Sequence, residues 1–179
     1  MNTEQADPAE LAALREAFAV DDGGVSALGW EAVHAVEREH GVVLPEPYRT
    51  FVAEMTDGSH QGPPEYGMVG LAEGTEKQSP GKPFPLTRGW LWEEDDGPYD
   101  DPEAVMEQVG DHGSVVLGTD GCGMFWHLVV TGPHRGHIWH ITDVGAMPFG
   151  AEFGYTTCAP GFAGWVAHWA AGKEWFDAE

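Results

Sequence analysis

The chain is poor in positive charge. Eight Lys and Arg stand against thirty Asp and Glu, a formal net charge of −22 at pH 7 over 179 residues. Nucleic acids and anionic membranes are held by basic surface, so this balance argues against unassisted binding to either. Cysteine is scarce as well: Cys122 and Cys158 lie in separate segments with no CxxC spacing, and free thiols in a reducing compartment are expected rather than a disulfide. No segment approaches the roughly 20 apolar residues a membrane span needs, and Met1 to Glu10 lacks a basic region followed by an apolar run. A soluble, cytoplasmic protein is expected. Catalytic signatures are missing too, with no HExxH, glycine-rich phosphate loop, GxSxG elbow or kinase motif.

What is present supports a packed core. Hydrophobic residues make up 42% of the chain and eight are tryptophan, whereas a disordered acidic protein is poor in aromatics. The length suits one domain, burying on the order of 70% of its surface on folding. No internal repeat or interdomain linker interrupts it.

The clearest local unit is Gly41 to Gly58, GVVLPEPYRTFVAEMTDG. Leu44-Pro45 fixes an extended entry, and Pro47 suits a first helical turn, where no N–H bond is lost. Tyr48, Phe51, Val52 and Met55 recur at i, i+3, i+4 and i+7 as a stripe facing a core, with Arg49 and Glu54 directed away. Asp57-Gly58 is the expected stop. Upstream, Asp7-Pro8-Ala9-Glu10 reads as a capping box opening a helix to about Phe18. Asp21-Asp22-Gly23-Gly24 breaks it, and Ser26 opens a second helix to about His40.

Beyond Gly58 the texture changes. Tyr66 to Ala72 reads as a strand, Gly74 to Gly81 as turns, and Phe84 and Leu86 as a second short strand that Pro83 and Pro85 restrict to an edge or make a loop. Ser114 to Leu117, Met124 to Val130 and His137 to Thr142 read as strands, the last two forming a hairpin. A turn centred near Pro133 and His134 sets Trp126 beside Ile141, Leu128 beside Trp139 and His127 beside His140. Gly145 to Ala159 is an irregular connection. Phe162, Trp165, Val166 and Trp169 form the apolar face of a last helix ending at Gly172. These elements predict an α+β fold: N-terminal helices and a C-terminal helix on a twisted, mostly antiparallel sheet of about five or six strands.

Val33, Val36, Glu37, Gly41, Leu44, Pro45, Tyr48, Phe51, Asp57 and Gly58, in this order and spacing, resemble the SMI1/KNR4 family of the SUKH superfamily. Downstream counterparts are Leu117-Gly118-Thr119-Asp120-Gly121-Cys122-Gly123, Gly136-His137-Ile138-Trp139 and the aromatic helix at Phe162 to Trp165. Asp57 stands where an Asn is usual, and residues 74–111 form a longer, more acidic insertion. On this reading residues 1–179 are one SUKH-like domain, with a helical extension over about residues 1–25. The resemblance implies a non-enzymatic protein-binding module, an immunity protein that neutralises a cognate toxin, often a nuclease. It implies no cofactor. Some relatives outside bacteria are regulatory scaffolds, which leaves an endogenous partner as a second implication.

The charge is concentrated between Gly89 and Pro133, where ten carboxylates occur without a single Lys or Arg. Six of them, Glu93, Glu94, Asp95, Asp96, Asp100 and Asp101, interleave with Trp90, Trp92 and Tyr99. Apolar anchors beside a charged rim are how protein interfaces are built, and a cationic toxin is the natural complement. The competing account is a solvated loop whose aromatics fold back onto the core, with the acidity serving solubility.

Two further constellations bear on chemistry. His127, His134, His137 and His140 fall within the 124–142 hairpin, the basis for an alternative reading as a metal-dependent enzyme. Only His127 and His140 converge under the register above, Asp143 would have to cross the sheet to join them, and zinc needs three or four ligands. Gly121-Cys122-Gly123 could expose a nucleophilic thiol, but glycines permitting a tight turn before a strand account for it more simply.

Overall fold

Asp7 accepts the Ala9 backbone N–H through its carboxylate and Pro8 takes the first helical position, so the chain enters α1 (Pro8–Ala17) as the capping pattern predicts. The computed structural model describes residues 4–19, 25–150 and 159–175; the expected break at residues 21–24 and Cys158 lie outside them. Helix α2 (Trp30–His40) and helix α3 (Tyr48–Glu54) follow. Helix α2 starts three residues later than a Ser26 cap would place it. Leu28 and Gly29 donate their N–H groups to the Val52 and Ala53 carbonyls, and Ser26 accepts the Asp57 N–H, so residues 26–29 run beside α3. Backbone engaged in that way is not free to close a helical turn. Gly41, at φ 66°, ends α2 in the left-handed conformation.

Helix α3 buries Tyr48, Phe51 and Val52 as their spacing requires, but stops at Met55, short of Asp57-Gly58. The Asp57 carboxylate instead accepts the Leu71 N–H at 2.7 Å, at the start of α4 (Leu71–Thr75). That contact satisfies one of the unpaired donors of a helix N-terminus. The strand expected over Tyr66 to Ala72 is therefore reduced to a bridging position at Met68, paired with Ser59 and Gly118. Gly58 makes this turn possible. Its φ is 113°, and a Cβ there would lie 2.7 Å from the Met68 carbonyl oxygen. Gly58→Ala should cost about 2 kcal/mol or more, read as a lower denaturation midpoint at unchanged slope.

The sheet has four antiparallel strands in the order β1 (Ser114–Gly121), β2 (Met124–Val129), β3 (Ile138–Ile141) and β4 (Ala146–Pro148). Four strands, rather than five or six, follow because residues 66–72 and 84–86 do not pair as strands. Phe84 and Leu86 lie in a loop and are buried. The hairpin register differs by one residue from the expected one: Phe125 opposes Ile141, Trp126 opposes His140 and His127 opposes Trp139. The loop closes through hydrogen bonds from Gly136 and Val129 to each other's side of the turn, with Gly132 and Gly136 at φ 72° and 91°. A one-residue slip exchanges the two faces of a strand, and hydrophobic alternation fixes the register only where one face is polar.

Here both faces are covered. Trp126, Leu128, Val130 and Ile138 join Leu14, Phe51, Phe162 and Trp165 in one cluster under α1, α2, α3 and α6 (Phe162–Ala170). Val129, Trp139, Ile141 and Ala146 join Phe84, Leu86, Trp90 and Val109 in a second cluster on the opposite face. Val109 belongs to α5 (Pro102–Asp111), which Asp101 caps through the Ala104 N–H with Pro102 in the first turn. No helix among the described residues is long and apolar enough to cross a membrane.

Candidate functional site

The acidic stretch lies in the long connection from α4 to α5, alongside β4, and its aromatics hold it down. Trp90 exchanges two backbone hydrogen bonds with Ala146, each 2.9 Å, as an added rung beside β4. Its ring is only 5% exposed and meets Trp92 at 5.4 Å and Tyr99 at 4.7 Å between centroids. Two indoles then pin the chain: Trp90 Nε1–H donates to the Asp95 carbonyl at 3.0 Å and Trp92 Nε1–H to the Asp143 carbonyl at 2.7 Å. Gly97, at φ 65°, turns the loop back, and its N–H donates to the Asp95 carboxylate at 2.6 Å.

The six acids are thereby separated from the apolar groups beneath them. Glu93, Glu94, Asp95, Asp96, Asp100 and Asp101 are all exposed, Trp92 and Tyr99 are half-buried, and Trp90 is core. Among the described residues no ion pair neutralises any of the six. The two accounts of this stretch therefore meet in one structure: the aromatics fold inward, and what they position is a ridge of uncompensated carboxylates.

The histidines do not assemble. His127 and His140 sit on opposite faces of the sheet, because His127 opposes Trp139 whereas His140 opposes Trp126 and packs on it at 4.5 Å. The expected convergence depended on the slipped register. His127 is hydrogen-bonded through Nδ1 to Ser114 Oγ at 3.0 Å, and burial, with His140 second, pushes its pKa down to about 3. Burial pushes His140 down to about 4 against the opposing pull of Asp120. Both are neutral imidazoles at pH 7. In the β2–β3 loop His134 Nε2–H donates to the Thr87 carbonyl at 2.8 Å, which leaves its Nδ1 to accept from His137 Nδ1 at 3.3 Å. No group of three or more His, Cys, Asp or Glu able to hold a metal occurs among the described residues. Cys122 is exposed in the β1–β2 turn at φ 51° between Gly121 and Gly123, both also at positive φ.

A buried ion pair escaped the sequence reading. Arg49 does not point away from the core: its Nε and Nη2 donate to the two carboxylate oxygens of Glu37 at 2.7 and 2.9 Å, and Glu37 also accepts the Leu44 N–H. Glu37 is 7% exposed, and the guanidinium lies over the Trp30 ring at 5.3 Å. The pair ties α2, the Leu44-Pro45 entry and α3 into one block. Its signal was the acid before Gly41 together with a cation one residue after Tyr48.

Beside the acidic ridge the sheet carries a groove of about 580 Å³, bounded by α4 and the turn after it, the C-terminal end of α5, and the Thr119, Phe125 and Ile141 side of the sheet. Its rim includes Asp143, whose carbonyl Trp92 holds.

No curated protein and no solved structure matches the chain. A family model does, over residues 30–168, from the first residue of α2 nearly to the end of α6. That span takes in the Glu37–Arg49 block, the Asp57 contact, the whole sheet and the acidic loop, so the chain belongs to the SMI1 / KNR4 family (SUKH-1).

Proposed function

We propose that this protein is a non-catalytic immunity protein that binds and neutralises a cognate protein toxin through the Glu93–Asp101 loop. The observation that carries the reading is the ridge itself: six exposed carboxylates, none in an ion pair among the described residues, on a loop fixed by Trp90, Trp92 and Tyr99. Carboxylates left exposed and unpaired on a fixed loop project a field that accelerates encounter with a cationic surface. A nuclease must present such a surface to phosphates, so an acidic ridge can compete for the same cleft. Family membership supports the immunity role, and an exposed free thiol at Cys122 suits action in the cytoplasm.

The test is capture with the product of the neighbouring gene, at low and at high salt. Recovery of a basic protein whose toxicity this chain suppresses is the expected result. Against that partner, converting the six acids to Asn or Gln should slow association by about tenfold or more and flatten its salt dependence. Unchanged association would place the interface elsewhere.

A further inference from the structure

Residues 125, 127 and 129 of β2 face the second core cluster together with Trp139 and Ile141 of β3. The 84–92 segment and α5 cover that face at Val129 and Trp139, but the cover ends before Phe125. Phe125 is consequently 41% exposed, and Val144, just beyond the rim, is exposed too. An aromatic ring on a sheet face, flanked by Thr119 on β1 and Ile141 on β3, forms the floor of the groove. Neutral His127 closes its inner end.

The rim has a sign. Glu73, Glu76 and Asp143 stand around the opening, with Lys77 the one cation among the lining residues. Asp143 and Val144 are also the residues whose carbonyls accept from Trp92 Nε1–H and the Glu93 N–H, so the groove and the acidic ridge share a wall. An apolar floor and an acidic rim match one kind of occupant: an apolar side chain flanked by Lys or Arg.

We infer that this groove is the anchor pocket for the protein partner, taking one aromatic or large aliphatic side chain from a basic loop while the neighbouring ridge engages the surrounding cations. The inference rests on the proposed reading that the partner is a basic protein. It assigns the two surfaces different work. The ridge governs encounter and salt dependence, whereas the groove governs dissociation, because burying an apolar side chain is insensitive to ionic strength.

The probes are two capped pentapeptides of equal charge, Lys-Lys-Phe-Lys-Lys and Lys-Lys-Ser-Lys-Lys, titrated into the ¹⁵N-labelled full chain. The phenylalanine peptide should bind at least about tenfold more tightly, with amide shifts centred on Thr119, Gly123, Phe125 and Ile141. Phe125→Ser, a change at a half-exposed site, should remove the difference between the peptides while leaving the serine peptide's affinity unchanged. Equal affinities for the two peptides in the wild-type chain, including no measurable binding of either, overturn the inference, as do shifts confined to Glu93–Asp101. The chain with its six ridge acids neutralised separates the two readings. If it keeps the phenylalanine preference but loses nothing in overall affinity, the ridge fails and the groove stands; if the ridge matters and the preference is absent, the groove fails alone.

Discussion

Arg49→Ala is expected to destabilise the fold by about 3–5 kcal/mol, among the largest effects of any single substitution in this chain. The reason is what remains behind. Glu37 is almost fully buried, and two of its hydrogen-bond donors come from the guanidinium, so truncation leaves a carboxylate in the interior with the Leu44 N–H as its remaining partner among the contacts described above. The pair itself need not be strongly favourable, because desolvating two charges offsets much of their attraction. Replacing both residues by apolar ones of similar length, Glu37→Met with Arg49→Met, should therefore cost clearly less than Arg49→Ala alone. Urea denaturation of Glu37→Met, Arg49→Met and the double variant measures the coupling directly. Equal and additive losses would show that Arg49 contributes through packing on Trp30 rather than through Glu37.

The contrast between Arg49 and its neighbours shows where sequence reasoning succeeds and where it stops. Tyr48, Phe51 and Val52 are buried as their 3.6-residue period requires, since a helix in water must turn its apolar stripe inward. Arg49 lies off that stripe and is buried because of a residue on another helix, information that no local period carries. The capping rule worked at Asp7-Pro8 and was available again at Asp101-Pro102, but the density of acids around it masked α5. The β2–β3 register was open for a different reason: both faces of the hairpin are apolar, so either register satisfied the pattern, and the loop geometry decided between them. That decision also removed the candidate histidine pair. For the acidic loop the sequence showed the charge and the aromatics; which of them face inward required the indole hydrogen bonds to Asp95 and Asp143.

The separated histidines carry the second large effect, a steep loss of stability in mild acid. An unfolded histidine titrates near 6.5, while His127 and His140 are held down to about 3 and about 4 by burial. Between those limits the unfolded chain binds more protons than the folded one, so stability falls as pH falls. The contribution is fully present above about pH 6.5 and is lost progressively as pH drops toward the two folded values. With two groups the slope approaches about 2.7 kcal/mol per pH unit, and the loss by pH 4.5 is on the order of several kcal/mol, comparable with the whole stability of a typical domain. Denaturant midpoints measured from pH 7.5 to 4.5 should decline with this slope. His140→Gln should remove about half of it, and His127→Asn, which can keep a polar contact to Ser114, about the other half. Imidazole carbon shifts supply the independent check. In the folded chain the His127 and His140 signals should stay at their neutral positions through pH 5.5, and a folded His127 signal moving with a midpoint near 6.5 would remove the basis for the effect.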